Sequence, residues 1–372
     1  MKVAKRILKW TGLVMFVVVT GGGVLVFTAY WRSSNDCEGN TGSPAHPMKA
    51  ITKCEYGSAD VLTLRDVEKP SPTDNQIRVK VRAASLNAAD GHLLRGAIPI
   101  RLLTGLRKPK DTRFGIDCAG TVEAVGKNIT EFKPGDEVFG VAKGAIGEYV
   151  CASERAFVSK PRNITFEQAA AVPVAGFTAL QGLRDQGKIQ AGQKVLINGA
   201  SGGVGTFAVQ IAKAFGAEVT AVCSPRNLDQ TRSIGADHVI DYTKEDFTQG
   251  EQRYDVIFDN VANHTVTERR RVLAPRGICV LAGMGSAGKH EGQMARLGGT
   301  LKAFALSPFI PQKFKSFIAK TDKADLTVLR DLMQDRKVTP VIDRQYPISQ
   351  TAEALRYLEE GHARGKVVIN VE

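Results

Sequence analysis

Apolar and polar positions follow a regular alternation of strand and helix patterns over the second half of the chain. An apolar run at 195–197 predicts a buried strand, and apolar residues at helical spacing over 204–215 predict an amphipathic helix. Further strands are predicted over 218–223, 239–240, 254–261 and 277–284, with helices over 229–234 and 266–273. Strands that alternate with helices in this way predict an α/β fold with a parallel, doubly wound sheet.

The N-terminal residues have a different pattern. Four basic residues precede an uncharged, largely apolar run over 10–31. A helix of this length spans about 33 Å, enough to cross the hydrocarbon core of a bilayer, so we predict one transmembrane helix here. A cleaved signal peptide is the alternative. Residues 32–47 then form a polar linker to the rest of the chain.

A glycine-rich turn joins the strand at 195–197 to the helix that follows. Glycines let the backbone approach a pyrophosphate closely, and the N–H groups and dipole of the helix stabilise its charge. In this strand–turn–helix context, the turn predicts a dinucleotide site. An ordinary, tightly packed connection is the alternative. The residues of the predicted site are Ala200, Ser201, Gly202, Gly203, Val204 and Gly205.

The end of the second strand indicates which dinucleotide binds. An NAD site usually has Asp or Glu there, about 20 residues beyond the glycines, to hold the ribose hydroxyls. This chain instead has Ser224, Pro225 and Arg226. Ser224 can donate a hydrogen bond and Arg226 can pair with a 2′-phosphate, which favours NADP(H) over NAD(H). A solvated surface charge at Arg226 is the alternative.

Several short blocks, in order from about residue 48 to the C-terminus, resemble the medium-chain dehydrogenase/reductase superfamily, in its zinc-free quinone oxidoreductase (enoyl reductase-like) branch. Besides the glycine turn, the blocks lie at 85–90, 115–122, 135–140, 147–149, 171–179, 235–242 and 361–368. The resemblance implies a GroES-like, mostly β catalytic domain over 48–170, completed by about 338–372. It also implies an NADP-binding Rossmann domain over 171–337, and it suggests a homodimer.

The resemblance further implies roles for single residues. Thr178 would contact the nicotinamide end of the cofactor, and Asn87 would lie beside the nicotinamide and the substrate. Lys366 would lie near the cofactor. The remaining residues assigned to the cofactor are Ser224, Arg226 and Tyr242 around the adenosine phosphate, together with Asn260.

The residue types at two positions argue against a zinc enzyme. Zinc-containing members of the superfamily have Cys and His ligands where this chain has Asn87 and Ile116, and an isoleucine cannot bind metal. The six cysteines include no Cys-x-x-Cys pair, and the six histidines are scattered, whereas a zinc site needs about four clustered ligands. Without a Lewis acid, alcohol oxidation is disfavoured. Quinones and α,β-unsaturated carbonyls remain as hydride acceptors.

Asn87 and Tyr149 are the predicted catalytic residues. Asn87 would polarise the substrate carbonyl, with a structural turn residue as the alternative. Tyr149, Asp90 and His92 are candidate proton donors, and water would suffice. We therefore expect a membrane-anchored, NADPH-dependent reductase of quinones or enones. The alternatives are an NADP-dependent alcohol or carbonyl dehydrogenase and a non-catalytic NADPH-binding sensor or trafficking protein.

The net charge of +12 adds little to this interpretation. No nucleic-acid motif accompanies it, so we expect no nucleic-acid partner. The basic, Phe-containing stretch over 296–320 is interpreted as an amphipathic helix on the Rossmann domain; contact with membrane lipid, a substrate lid and a subunit interface are the alternatives. The predicted NADPH site and six cysteines that we interpret as unpaired favour a cytoplasmic catalytic domain. The basic residues before the apolar run favour the opposite orientation, with the catalytic domain outside the cytoplasm. The sequence therefore supports both orientations.

Overall fold

The computed structural model describes residues 44–282 and 311–372. The strands in this part of the chain are β1 (Pro47–Lys53), β2 (Leu62–Glu68), β3 (Gln76–Leu86), β4 (Asp117–Val125), β5 (Glu137–Val141), β6 (Tyr149–Ser153), β7 (Phe157–Ser159), β8 (Lys194–Asn198), β9 (Glu218–Cys223), β10 (His238–Asp241), β11 (Tyr254–Asp259), β12 (Leu273–Ala282), β13 (Lys313–Phe317), β14 (Ile342–Pro347) and β15 (Lys366–Asn370). The α-helices are α1 (Ala88–Arg95), α2 (Ile98–Thr104), α3 (Phe166–Ala170), α4 (Pro173–Leu180), α5 (Gly203–Ala214), α6 (Leu228–Ser233), α7 (Val266–Val272), α8 (Lys323–Gln334) and α9 (Thr351–Glu359).

Six strands form a parallel sheet in the order β10-β9-β8-β11-β12-β13, which confirms the predicted doubly wound fold. Its central strand β8 is buried on both faces, as its continuous run of apolar residues predicts. The order of the strands reverses between β8 and β11. A ligand of such a sheet binds at the carboxyl ends of the strands on either side of this reversal.

A second sheet contains the order β14-β15-β3-β4-β5-β7, with β6 also paired to β3, and it is mostly antiparallel. It corresponds to the expected GroES-like architecture. The C-terminal strand β15 returns to pair with the end of β3, and Val367 lies opposite Leu86. This pairing places residues that are far apart in sequence next to each other, and the candidate site depends on it.

Two predicted elements differ from the structure. Strand β12 begins at Leu273, earlier than predicted. The segment Lys313–Phe317, interpreted as part of a helix, is strand β13 at the edge of the parallel sheet. Phe314 is buried between two lysines that are not, and this two-residue period is that of a strand. The rest of that stretch, up to residue 310, lies outside the described residues.

The predicted single-pass membrane location is wrong. Across residues 44–282 and 311–372, every helix of the structure is too short or too polar to cross a bilayer. The predicted span itself, 10–31, lies outside these described residues. The assumption that all the cysteines are unpaired is also wrong, because Cys54 is disulfide-bonded. Free thiols are found at Cys118, Cys151, Cys223 and Cys279.

Candidate active site

The glycine-rich turn leaves β8 at Gly199, whose φ of +81° suits a glycine, and enters helix α5. A Cβ atom on Gly205 would lie 2.1 Å from the carbonyl oxygen of Gly199, so the helix can pack on the turn only without a side chain there. A Cβ atom on Gly202 would meet only that same oxygen, at 3.7 Å. The space beside Gly202, at the helix N-terminus, therefore fits an approaching pyrophosphate.

The residues predicted to surround the adenosine phosphate lie at the carboxyl end of β9. Ser224 follows the strand directly, and the backbone N–H of Tyr242 donates to the carbonyl of Cys223 at 3.3 Å. The Tyr242 side chain is 58% exposed, so it is free to cover a ligand. The Arg226 guanidinium donates to the carbonyl of His362 at 2.5 Å. The structure thus brings the three predicted residues together. It adds Asn227, which sequence reasoning missed.

Residues at the end of β11 border the same turn. The backbone N–H of Asn260 donates to the carbonyl of Asn198 at 3.1 Å, and a Cβ atom on Gly199 would lie 3.7 Å from that of Asn260. Beneath them, the fully buried Asp259 accepts from Arg269 at 2.6 Å and from Asn198 at 2.9 Å. The hydrogen bond from Asn198 joins the ends of β8 and β11, and the ion pair joins the end of β11 to α7. This contact was not predicted, although a carboxylate at the end of an apolar strand is a feature that could have indicated it.

Asn87 lies in a buried polar network at the end of β3. Its amide nitrogen donates to Asp117 at 2.8 Å, and its amide oxygen accepts from the Lys366 ammonium at 2.5 Å. Lys366 also donates to the carbonyl of Leu86 at 2.9 Å and lies 3.7 Å from the Asp117 carboxylate. Asp117 further accepts from the backbone N–H of Val174. Both amide groups of Asn87 are therefore held in fixed directions.

Lys366 connects this network to the cofactor turn. A Cβ atom on Gly203 would lie 3.1 Å from Cδ of Lys366, so the lysine stem packs against the start of α5. Its ammonium, however, is directed at Leu86 and Asn87. Lys366 thus lies beside the turn that is predicted to bind the cofactor. Its charge serves the network around Asn87 and is not available to a phosphate.

Thr178 lies one helical turn after Val174 in α4, and its hydroxyl donates to the Val174 carbonyl at 2.8 Å. Since the Val174 N–H is bound to Asp117, the first turn of α4 is tied to the same network as Asn87. Thr178 therefore lies in the helix whose first turn is bound to this network, and its contact with the nicotinamide stays a prediction. The hydroxyl retains its acceptor lone pairs.

Tyr149 is not brought to this network. It is paired with Lys80 on β3, seven residues before Asn87, which at about 3.3 Å per residue is roughly 20 Å away along the strand. Its ring lies under the ammonium of Lys69, 3.8 Å from the ring centre. Tyr149 thus lies beside the middle of β3, whereas Asn87 follows the last residue of that strand. Register along a strand, which the sequence pattern did not give, is the reason.

Burial dominates the electrostatics of the network. It raises the pKa of Asp117 and lowers that of Lys366, while each partner's charge opposes the other's shift. Asp90 accepts from the backbone N–H of Asn87 at 2.8 Å, and burial raises its pKa to about 7. Of the three predicted proton donors, Asp90 is thus seen next to Asn87 and holds a proton near neutral pH.

The structure places no group of three or more His, Cys, Asp or Glu side chains where a metal ion could bind, within the residues it describes. At the two positions where zinc-containing relatives carry ligands, Asn87 is bound to Lys366 and Asp117, and Ile116 packs against the apolar core. These residues do not form a zinc site.

Comparison with known proteins agrees with this geometry. The chain matches the family models "Alcohol dehydrogenase GroES-like domain" over 73–162 and "Zinc-binding dehydrogenase" over 234–369. It is 33% identical to the chloroplastic NADPH-dependent alkenal/one oxidoreductase of Arabidopsis thaliana, over 87% of this chain and 79% of that protein. It is 34% identical to the mitochondrial NAD(P)H oxidoreductase RTN4IP1 of Bos taurus, over 87% and 89% of the two chains.

The structure of the quinone oxidoreductase from Coxiella burnetii is similar over 88% of this chain and 100% of that chain, with a TM-score of 0.75 and 30% identity. These similarities cover nearly nine-tenths of this chain and therefore extend over both of the larger sheets. The chain therefore belongs to the medium-chain dehydrogenase/reductase superfamily, in its quinone oxidoreductase branch, and is an NADP(H)-dependent oxidoreductase.

Proposed function

We propose that this protein reduces quinones or α,β-unsaturated carbonyls with NADPH and without a metal ion. The observation that carries the proposal is the fixed amide of Asn87, whose nitrogen has two N–H groups. One is bound to Asp117, and the side chain is 7% exposed, so the other can donate to a substrate carbonyl at the surface of the network. The printed names of the relatives, an alkenal/one oxidoreductase and a quinone oxidoreductase, support this substrate class.

Bound NADPH supplies the hydride, which reduces the acceptor while a proton completes the reaction. Asn87 stabilises the negative charge that develops on the carbonyl oxygen, and it does so without reorganisation because Lys366 and Asp117 already hold it. Asp90 or water supplies the proton. Such an acceptor is already electrophilic, so orientation and a few hydrogen bonds suffice.

We assign the cofactor to the cleft between the predicted domains, 48–170 with 338–372 and 171–337. Gly202, Gly203 and the N–H groups that start α5 would hold the pyrophosphate, and Thr178 would lie at the nicotinamide end. Ser201, Val204 and Asn260 would line the rest of the turn, while the buried Ala200 supports it from inside. The 2′-phosphate would be held by Ser224, Arg226 and Tyr242.

The proposal is tested by NADPH oxidation with the full chain against quinones, enones, simple aldehydes and, in the reverse direction, alcohols with NADP⁺. We expect turnover of quinones or enones that a chelator does not reduce and that is slower with NADH. Alcohol-dependent reduction of NADP⁺ without enone or quinone turnover would contradict the proposal. Cofactor binding without turnover of any acceptor would instead indicate a non-catalytic role.

Replacing Asn87 by alanine is expected to lower kcat by about a hundredfold, because one preorganised donor to a developing oxyanion contributes about that much. NADPH affinity should change little, since Asn87 lies on the catalytic side of the site. The matched control is Asn128→Ala, an exposed asparagine on the surface of the same sheet domain. If the free energy of unfolding of Asn87→Ala fell together with kcat, the result would indicate that Asn87 has a purely structural role.

Asp90 makes stability depend on pH in a defined direction. Its pKa rises from about 4 in the unfolded chain to about 7 in the folded protein, so the folded state retains a proton over that interval. The free energy of unfolding of the wild type should therefore fall relative to that of Asp90→Asn as the pH rises from 4 to 7. Urea titrations of both proteins at three pH values measure this difference. A constant difference would contradict it.

A further inference from the structure

Asn227 connects the two halves of the adenosine pocket. It is 3% exposed and lies just after Ser224, at the start of α6. Its amide nitrogen donates to the hydroxyl oxygen of Ser201 in the glycine turn at 2.8 Å. The same nitrogen donates to the hydroxyl oxygen of Ser224 at the end of β9 at 3.0 Å. The amide nitrogen of Asn227 thus donates one N–H group to each of two serines, which follow the ends of two different strands.

These two hydrogen bonds fix the direction in which the serines donate. A hydroxyl has one hydrogen, so a serine that accepts from Asn227 must direct its own hydrogen elsewhere. Neither hydroxyl donates to another group among the residues that the structure describes. Both hydrogens are therefore available to an acceptor in the pocket, and an ionised phosphate offers acceptors and no donors.

The backbone around Asn227 is equally constrained. Its N–H donates to the carbonyl of Ser224 at 2.9 Å, and its carbonyl accepts from the Thr231 hydroxyl at 2.8 Å. Its amide oxygen is buried and has no partner within the described part of the chain.

We propose that Asn227 is a positioning residue that sets Ser201 and Ser224 as hydrogen-bond donors to the 2′-phosphate of the adenosine, and so contributes to the preference for NADP(H). The inference rests on NADP(H) as the cofactor of the proposed function. Arg226 supplies the charge of this pocket, whereas Asn227 supplies its donor geometry. Asn227 acts through the two serines and does not itself contact the phosphate.

The test is calorimetric binding of 2′,5′-ADP and 5′-AMP, which differ in the 2′-phosphate, to the full chain. We expect Asn227→Ala to weaken 2′,5′-ADP binding by about tenfold, the usual effect of hydrogen bonds to a charged group, and 5′-AMP binding by less than about twofold. In a Ser201→Ala/Ser224→Ala background, the same substitution should cause no further loss. Arg226→Gln is the positive control, and Gln230→Ala, which removes a neighbouring amide bound to the Arg364 carbonyl, is the matched control.

Equal weakening of both nucleotides by Asn227→Ala would overturn the inference, because a merely structural role affects both. An undiminished effect in the double-serine background would overturn it as well. If Asn227→Ala does not fold, Asn227→Asp serves instead: its carboxylate accepts from the serines, reverses their hydroxyls and should weaken 2′,5′-ADP binding more strongly. Equal wild-type affinity for the two nucleotides would refute the inference while leaving quinone or enone turnover as a separate result.

Discussion

Lys366→Met is expected to lower the free energy of unfolding by about 3–5 kcal/mol, the usual cost of removing one partner from a buried ion pair. The substitution leaves Asp117 fully buried without its counterion and leaves the Asn87 amide oxygen without its donor. Turnover should fall together with stability, because Asn87 is then free to rotate. Urea denaturation and steady-state kinetics on the same preparation measure the two effects.

The matched control is the same substitution at Lys80, on the strand that carries the network. Lys80 pairs with Glu372 at 3.1 Å, but the two side chains are 46% and 37% exposed, so solvent screens this pair and it contributes little to stability. Lys80→Met should therefore leave stability and kcat near their wild-type values. If Lys366→Met lowered the free energy of unfolding by less than about 1 kcal/mol, the result would contradict a stabilising ion pair between Lys366 and Asp117.

The glycine turn gives the second large effect, because two of its glycines separate folding from binding. Gly205→Ala places a Cβ atom 2.1 Å from the Gly199 carbonyl oxygen, which forces α5 away from the turn. We expect a loss of about 3 kcal/mol in the free energy of unfolding, typical of an overpacked site, and no measurable NADPH binding. Thermal unfolding and fluorescence titration with NADPH report on the two properties.

Gly202→Ala is the informative counterpart. Gly202 has extended backbone angles, and the nearest atom to an added Cβ is 3.7 Å away, so the folded chain accommodates alanine at a cost within about 1 kcal/mol. The methyl group would nevertheless occupy the space assigned to the pyrophosphate. We therefore expect wild-type stability with at least tenfold weaker NADPH binding. Unchanged NADPH affinity in Gly202→Ala would contradict the placement of the pyrophosphate.

The parallel sheet was predictable because each of its elements carries its own local pattern. The apolar run of β8, the glycines and the helical period of α5 are contiguous, so no distant contact is needed to recognise them. The edge strand β13 was misinterpreted because only five residues of two-residue period lie within a longer basic and aromatic stretch. Local pattern fails where an element is short and its neighbours carry a competing period.

Some residues of the candidate site could likewise be recognised from local sequence, whereas others depend on strand pairing and distant contacts. Residue types alone pointed to Ser224 and Arg226 at the end of a strand, and the structure brings them together. The failure at Tyr149 came from register, since a residue's position along its partner strand is set by pairing and not by its own neighbours. Asn227 was missed because its importance lies in hydrogen bonds to two serines, one of them 26 residues away.

By itself, the sequence determined the doubly wound sheet and the glycine turn, and it predicted a 2′-phosphate site, since each depends on residues close together in the chain. Only the tertiary structure determined that Asn87, Asp117 and Lys366 form one network, because β15 returns across 280 residues to pair with β3. Hydrogen bonds then hold these three groups in fixed directions. Burial shifts the pKa values of the two charged ones. No local pattern encodes that burial, since it arises when separate strands and a helix exclude water together.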